Sequence, residues 1–166
     1  MPKISALFLL FATCAFAAGE LSNRRAPGFA LPDSSLKLHD LQDYRGKAVL
    51  IEFMQTTCAH CGELSEVLER VAAKYRDRVA VLSITNPPDH QGTVAQFISS
   101  HKVTVPILFD CGQVAAAYMK ASPQRPSFHV PHVFLIDAQG MIRNDFGHEL
   151  TAQNIFAELD RLLGSK

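Results

Sequence analysis

Apolar residues along the chain fall into two patterns, short continuous runs and longer stretches with helical spacing. Two runs rich in β-forming residues, at 47–54 and 79–84, predict buried strands at the centre of a sheet. Between them, the apolar residues from Leu64 to Tyr75 follow the i, i+3, i+4, i+7 spacing of an amphipathic helix. The same patterns predict further helices at 91–101, 112–120 and 151–163, and further strands at 105–109, 132–136 and 141–146.

The order of these elements predicts the fold class. Strands that alternate with helices, followed by a hairpin and a closing helix, indicate an α/β fold in which a central mixed β-sheet is flanked by helices on both faces. The segment 121–129 holds two prolines and shows no periodicity, so it predicts a loop. The length of 166 residues fits one domain of ordinary size.

The first 17 residues have the pattern of a secretory signal peptide. Lys3 gives a positive start, and the run from Ile4 to Ala18 carries no charge and is shorter than the about 20 residues that a membrane span needs. Cleavage is expected after Ala17, which leaves residues 18–166 as the mature domain. An uncleaved anchor and a lipoprotein stay open as alternatives. The sequence therefore predicts an exported protein, periplasmic or otherwise extracytoplasmic, which is membrane-anchored if the signal is not cleaved.

The charge balance and the cysteines limit the kinds of partner and chemistry that the protein can have. The chain has 16 Lys and Arg against 16 Asp and Glu, and this balance argues against a dedicated nucleic-acid-binding protein. We expect a monomer. Of the four cysteines, Cys14 lies in the predicted signal, and Cys58, Cys61 and Cys111 remain. Disulfides persist outside the cytoplasm, so two cysteines three positions apart form either a static bridge or a redox pair.

The candidate chemistry lies in the motif Cys58-Ala59-His60-Cys61. The preceding strand and the following helix place Cys58 at a helix N-terminus, where free backbone N–H groups and the helix dipole favour a thiolate. Cys58 is therefore the predicted nucleophile, and Cys61, within the first turn, is the predicted resolving cysteine and disulfide partner. His60 adds a polar group beside the thiolate and favours a more oxidising disulfide.

Two structural interpretations of this motif stay open. It could be a static disulfide, or it could be half of a zinc site. A zinc site would need two further ligands, for which Cys111 and a distant histidine are available. The sequence has no second CxxC motif, so we expect redox chemistry with no metal and no bound cofactor.

These motifs together resemble the thioredoxin superfamily. A strand, a CxxC motif and a helix are followed by Val130-Pro131, and the segments APGFALPD, RGKAVLIEF and VPHVFLIDAQGMI are most similar to the TlpA/ResA-like exported thiol–disulfide oxidoreductases. The resemblance covers about residues 26 to 164. It implies that Pro131 is cis and packs against the CxxC motif, and that the Val130 backbone pairs with substrate. Thr57 stands where most relatives have Trp, which puts the partner preference of the family in doubt.

Glu52 interrupts an apolar strand six residues before Cys58. A carboxyl group in such a strand points inward or faces the second cysteine, and burial would raise its pKa. The matching position in thioredoxin-like proteins holds an acidic residue that moves a proton for the buried cysteine. The resemblance therefore implies this catalytic role for Glu52 with Cys61. A structural pair or a solvent-facing carboxylate is the alternative.

Two other residues stand near the predicted site. Cys111 could resolve a disulfide, but a buried thiol that packs as a small apolar group is the commoner case and is expected. His132 follows Pro131 and either tunes Cys58 or caps its strand. The remaining histidines, His39 among them, are expected to be solvated.

The sequence thus predicts an enzyme that exchanges electrons with protein thiols and disulfides outside the cytoplasm. A reducing enzyme would need a membrane thiol carrier as its electron donor, and an oxidising one would need an oxidant. The resemblance favours reduction, whereas His60 favours oxidation. Three rival functions are a copper chaperone that uses Cys58, Cys61 and His132, a peroxiredoxin-like peroxidase, and a non-catalytic thioredoxin-fold binding domain. The intact CxxC motif disfavours the binding domain. The peroxidase is disfavoured because its usual Pro-x-x-x-Thr-x-x-Cys approach is missing before Cys58.

Overall fold

The computed structural model describes residues 19–124, 126–147 and 150–164. The predicted signal, residues 1–17, lies outside the described residues. In the part of the chain that is described, no helix has the length and apolar character of a membrane span.

A six-stranded mixed sheet forms the centre of the fold, as the sequence predicts. Its strands run in the spatial order β1-β8-β7-β4-β5-β6. Strands β4, β5 and β6 are parallel, and β7, β8 and β1 continue the sheet in antiparallel pairs. The bounds are β1 Arg24–Arg25, β4 Ala48–Met54, β5 Val79–Thr85, β6 Ile107–Phe109, β7 His132–Ile136 and β8 Met141–Phe146.

Within the described residues, four helices cover the two faces of the sheet. They are α1 Ala59–Tyr75, α2 Gln91–His101, α3 Gln113–Met119 and α4 Ala152–Leu162. Helices α1, α2 and α4 pack on one hydrophobic cluster, and α3 packs on the other. The Thr151 hydroxyl caps α4 by accepting the Asn154 N–H at 3.1 Å.

Strand β4 is buried along its whole length because helices cover both of its faces. Its side chains alternate between the two clusters: Leu50 and Met54 face the α1 side, whereas Ile51 and Phe53 face the α3 side. The same alternation places Glu52 on the α1 side, which is the side of the buried Cys61.

The N-terminal region is more structured than the sequence predicts. Besides β1, it holds a two-stranded sheet of β2 Ala30–Pro32 and β3 Leu38–Asp40, followed by a 3-10 turn at Leu41–Tyr44. The prediction that His39 is solvated is wrong. Its ring is buried and bonds the Tyr44 hydroxyl at 2.5 Å and the Asp33 carboxylate at 3.0 Å.

Candidate active site

Cys58 is the N-cap residue of α1. Its extended backbone joins the end of β4 to the helix through a turn in which the Cys58 N–H donates to the Gln55 carbonyl at 3.1 Å. The Cys58 sulfur accepts the Cys61 N–H at 3.2 Å. A backbone N–H of the first helical turn thus points at the sulfur, an arrangement that stabilises negative charge there.

The two cysteines differ sharply in their exposure. Cys58 is half-buried, whereas Cys61 is completely buried in the hydrophobic cluster under α1. Burial raises the pKa of the Cys61 thiol far above its ordinary range, and a hydrogen bond with Cys58 and the negative charge of Glu52 raise it further. Both thiols are free in this structure, so the Cys58–Cys61 disulfide stays a prediction.

The segment before β7 lies beside the nucleophile. The Val130–Pro131 peptide bond is cis, and the Val130 carbonyl oxygen lies 3.8 Å from the Cys58 sulfur. Thr57 and Ala59, on either side of Cys58, are exposed. A protein partner could therefore reach Cys58 and the Val130 backbone together.

A cleft of about 1270 Å³ opens beside Val130 and Pro131. Apolar side chains of α1, of the loop before β7 and of β8 line part of it, among them Leu64, Val67, Phe128, Val130 and Phe146. The predicted loop 121–129 contributes to its wall. Cys58 lies at its edge, because Val130 lines the cleft and the Val130 carbonyl oxygen is 3.8 Å from the Cys58 sulfur.

His60 is at the surface and does not stand alone. Its ring nitrogen lies 3.4 Å from the Glu63 carboxylate, and both side chains are about 80% exposed. The contact with Glu63 offsets part of any positive charge that His60 carries, and solvent screens the remainder. The effect of His60 on the cysteine pair is therefore expected to be modest.

Glu52 is buried behind the cysteine pair. Its Oε2 accepts a hydrogen bond from the Ser83 hydroxyl at 2.8 Å, and its Oε1 has no partner among the described residues. Burial raises the pKa of Glu52 from 4.5 to about 7, against the opposing effect of the Ser83 hydrogen bond. The carboxyl group is therefore close to half-protonated at neutral pH and can take up or give a proton.

The prediction that Cys111 is buried is wrong. Cys111 is exposed, not buried, because it lies just beyond β6 in the turn that leads to α3. His132 contacts the Asp145 carboxylate at 3.3 Å, which ties β7 to β8. Among the described residues, no three His, Cys, Asp or Glu side chains come together as metal ligands, so the copper site of the rival interpretation is not formed in this structure.

Sequence reasoning missed one residue of this region, Asp89. Its carboxylate binds Thr56, two residues before Cys58, from the loop between β5 and α2. The only sequence signal is an Asp just before a predicted helix, a common place for a capping residue.

The sheet, the helices and the cysteine pair at a helix N-terminus define a thioredoxin-like oxidoreductase class. A solved structure of this fold, a thiol:disulfide interchange protein of the thioredoxin family from Chlorobium tepidum, matches with a TM-score of 0.74 and 17% identity over 85% of this chain and 97% of that one. The sequence matches the AhpC/TSA family over residues 22–145, and the chain belongs to that family.

Curated relatives agree with this class. The thioredoxin-like protein YneN of Bacillus subtilis is 28% identical over 144 residues, 86% of this chain and 81% of its own length. The thiol-disulfide oxidoreductase ResA of Geobacillus kaustophilus is 28% identical over 138 residues, 82% of this chain and 75% of its own. The predicted resemblance to ResA-like thiol–disulfide oxidoreductases is thereby confirmed.

Proposed function

We propose that this protein is an extracytoplasmic thiol–disulfide oxidoreductase that exchanges electrons with protein substrates through Cys58 and Cys61. The observation that carries the proposal is the half-buried Cys58 sulfur at the N-terminus of α1, which accepts the Cys61 N–H at 3.2 Å while the Cys61 thiol lies buried behind it. This arrangement separates an accessible nucleophile from a protected resolving thiol. The electrons reside in the cysteine pair, so the exchange itself calls for no organic cofactor or metal.

In the reducing direction, the Cys58 thiolate attacks one sulfur of a substrate disulfide. A bond forms between Cys58 and that sulfur, and the other substrate sulfur leaves as a thiolate. The Cys61 thiolate then attacks the Cys58 sulfur and releases the second substrate thiolate. The substrate gains two electrons, and the enzyme keeps a Cys58–Cys61 disulfide. Oxidation of a substrate dithiol follows the same steps in reverse.

Glu52 supplies the proton transfer that the second step needs. The buried Cys61 thiol must lose its proton before it can attack, and its raised pKa makes spontaneous loss rare at neutral pH. Glu52 lies on the face of β4 that packs against α1 and the buried Cys61. Its pKa of about 7 leaves a substantial fraction of Glu52 as carboxylate, which can accept that proton.

The partners are proteins that present a cysteine in an extended segment. Such a segment would lie in the cleft beside His60, Val130 and Pro131. It would extend from there toward Cys58 and the exposed Thr57. A reducing enzyme would recover its electrons from a membrane thiol carrier. The extracytoplasmic location rests on the predicted signal peptide at residues 1–17 and suits a reaction that needs persistent disulfides.

A Cys61→Ala variant tests the mechanism and identifies the partners. Without the resolving thiol, mixed disulfides on Cys58 should accumulate in cell extracts and disappear on reduction, whereas a Cys58→Ala variant should trap none. The identity of the trapped partners would also settle the direction of exchange. Equal trapping by both variants would contradict the assigned order of attack.

The peroxidase alternative has its own test. Gln55 and Ile51 stand where the peroxidase approach has Thr and Pro, and this disfavours efficient peroxide reduction. Hydrogen peroxide should therefore oxidise Cys58 at the slow rate of an ordinary thiolate. Multiple turnovers at enzyme-like rates would replace thiol–disulfide exchange by peroxidase activity as the main function.

A further inference from the structure

The loop that joins β5 to α2 holds Asp89, whose carboxylate accepts four hydrogen bonds. The Asp89 carboxylate accepts the Thr56 N–H at 2.9 Å and also the Thr56 hydroxyl. It accepts the hydroxyl of Thr85, the last residue of β5, and the hydroxyl of Thr93, in the first turn of α2, at 3.2 Å. One carboxylate therefore ties three separate segments together.

One of these segments carries the nucleophile. Thr56 lies inside the turn that begins at Gln55 and closes with the Cys58 N–H bond to the Gln55 carbonyl. Thr56 is two residues from Cys58, so its position constrains where the Cys58 sulfur lies relative to α1. Both the backbone N–H and the hydroxyl of Thr56 donate to Asp89. These two bonds fix the orientation of the turn as well as its distance from Asp89.

The carboxylate is ionised under the conditions in which the enzyme would work. Burial of Asp89 opposes ionisation, but the hydrogen bonds from Thr56, Thr85 and Thr93 together outweigh it and lower its pKa. All four donors are uncharged hydroxyl or amide groups. The contacts are thus charge-assisted hydrogen bonds, which are stronger and more directional than neutral ones.

We propose that Asp89 is a positioning residue for the exchange reaction: it holds the Gln55–Cys58 turn so that the Cys58 sulfur stays within reach of the Cys61 N–H. Asp89 acts through Thr56 and touches no reacting atom. This inference rests on the proposed function, because it assigns a role within that reaction. Loss of the tether lets the sulfur leave the helix N-terminus, so the thiolate loses stabilisation and Cys58 reacts more slowly.

Three variants test whether Asp89 acts through its hydrogen bonds, through its charge or only through the stability of the fold. Asp89→Ala removes all four hydrogen bonds. Asp89→Asn removes the charge but can keep the four contacts, because the threonine hydroxyls can rotate and accept from the amide NH₂ group. The matched control is Glu69→Ala. Glu69 on α1 accepts the Thr104 and Val105 N–H groups at 2.5 and 2.8 Å, so it ties down a different loop.

The readouts are the alkylation rate of Cys58 at pH 7, followed by peptide mass spectrometry, and the equilibrium constant with glutathione. Thermal unfolding is measured in parallel. We expect Asp89→Ala to slow alkylation about 4-fold, because the loss of thiolate is only partly offset by the higher nucleophilicity of a less stabilised thiolate, and to shift the glutathione equilibrium toward the disulfide. Asp89→Asn should stay within about 2-fold of the wild type, and Glu69→Ala should lower the unfolding temperature without changing either readout.

Four results would contradict the positioning role of Asp89 or the proposed function. If Asp89→Ala alkylates at the wild-type rate, or Glu69→Ala slows it equally, Asp89 is only structural. If Asp89→Asn accelerates alkylation, the charge of Asp89 matters more than its tether and the positioning role is wrong. Alkylation needs no partner protein. A wild-type protein that fails to exchange with any disulfide would therefore refute the proposed function while the alkylation series still decides the role of Asp89.

Discussion

Two carboxyl groups lie behind the cysteine motif, and they sit in contrasting surroundings. Glu52 is buried in the middle of the sheet with one hydrogen-bond donor and one oxygen without a partner among the described residues. Asp89 lies half-buried in a loop and accepts four hydrogen bonds from three threonines. The pKa of Glu52 is raised to about 7, whereas that of Asp89 is lowered.

The difference follows from the balance between burial and donors. Burial disfavours the charged form of both groups, but only Asp89 has enough donors to overcome it. A carboxyl group that changes its charge near pH 7 suits proton transfer, and one that stays charged suits a fixed tether. Glu52 is therefore suited to transfer a proton, and Asp89 is suited to hold the turn before Cys58 in place.

The largest expected effect is on stability, in a Glu52→Gln variant of the reduced protein. The folded protein holds the Glu52 proton up to about pH 7, whereas the unfolded chain releases it near pH 4.5. The unfolded state thus binds fewer protons between these values, and the free energy of unfolding falls as pH rises through this window. This loss of unfolding free energy is absent below pH 4.5 and complete above pH 7. At ~1.4 kcal/mol per pKa unit, it amounts to about 3 kcal/mol.

Glutamine cannot ionise, so it escapes this penalty. Urea unfolding at pH 4 and pH 8 should show the variant gaining about 3 kcal/mol relative to wild type between the two values. A Glu69→Gln variant, which changes an exposed carboxylate contact on α1, should show no such gain. Parallel pH profiles of wild type and Glu52→Gln would mean that Glu52 keeps an ordinary pKa, and its contrast with Asp89 would disappear.

The second effect is kinetic and uses the same variant. Release of a mixed disulfide from Cys58 should slow about 100-fold at pH 7, because the amide that replaces the Glu52 carboxylate cannot accept the Cys61 proton and general-base catalysis contributes at least that much. The attack of Cys58 on the substrate should be almost unchanged. Stopped-flow measurements of the two steps across pH 6–9 check this. A release rate equal to that of wild type across this range would remove the proton-transfer role.

Much of the fold and part of the site are predictable from sequence alone. The elements from β4 onward have strong apolar patterns, so their predicted and observed bounds differ by at most two residues, and α1 begins after Cys58 as the CxxC motif predicts. Strands β1, β2 and β3 have two or three residues each and carry no periodicity. Their pairing depends on distant partners such as β8, which a local pattern does not indicate.

The candidate site shows the same division. Cys58, Cys61 and Glu52 are evident because each departs from its local pattern: a CxxC motif at a helix start, and a charge in an apolar strand. Asp89 is not evident, since its role depends on Thr56, which lies 33 residues away in sequence and which only the parallel pairing of β4 and β5 brings close. The expectation that Cys111 is buried is wrong because residue type alone gives no measure of which way a turn faces.

The third prediction concerns the Ser83 hydroxyl, which donates to Glu52. Removing it in Ser83→Ala leaves the carboxylate with less stabilisation, so the pKa of Glu52 should rise further. The pH at which mixed-disulfide release reaches half its maximum should therefore move upward, and the protein should lose about 1 kcal/mol at pH 8. A midpoint that stays in place would show that Ser83 does not control the ionisation of Glu52.

The smallest effect is expected from Asp89→Asn at low pH. Asp89 has a lowered pKa, so its contribution to stability is present above the unfolded value of 3.8 and is lost as pH falls through its folded value. Asparagine cannot make that contribution, so the variant should lose less stability than wild type on acidification, by less than about 1 kcal/mol because the amide can keep the contacts. Urea unfolding from pH 7 to pH 2 measures the difference. If the unfolding free energy of the variant fell more steeply with acid than that of wild type, the charged form of Asp89 would not stabilise the fold. The two carboxyl groups would then differ in burial alone.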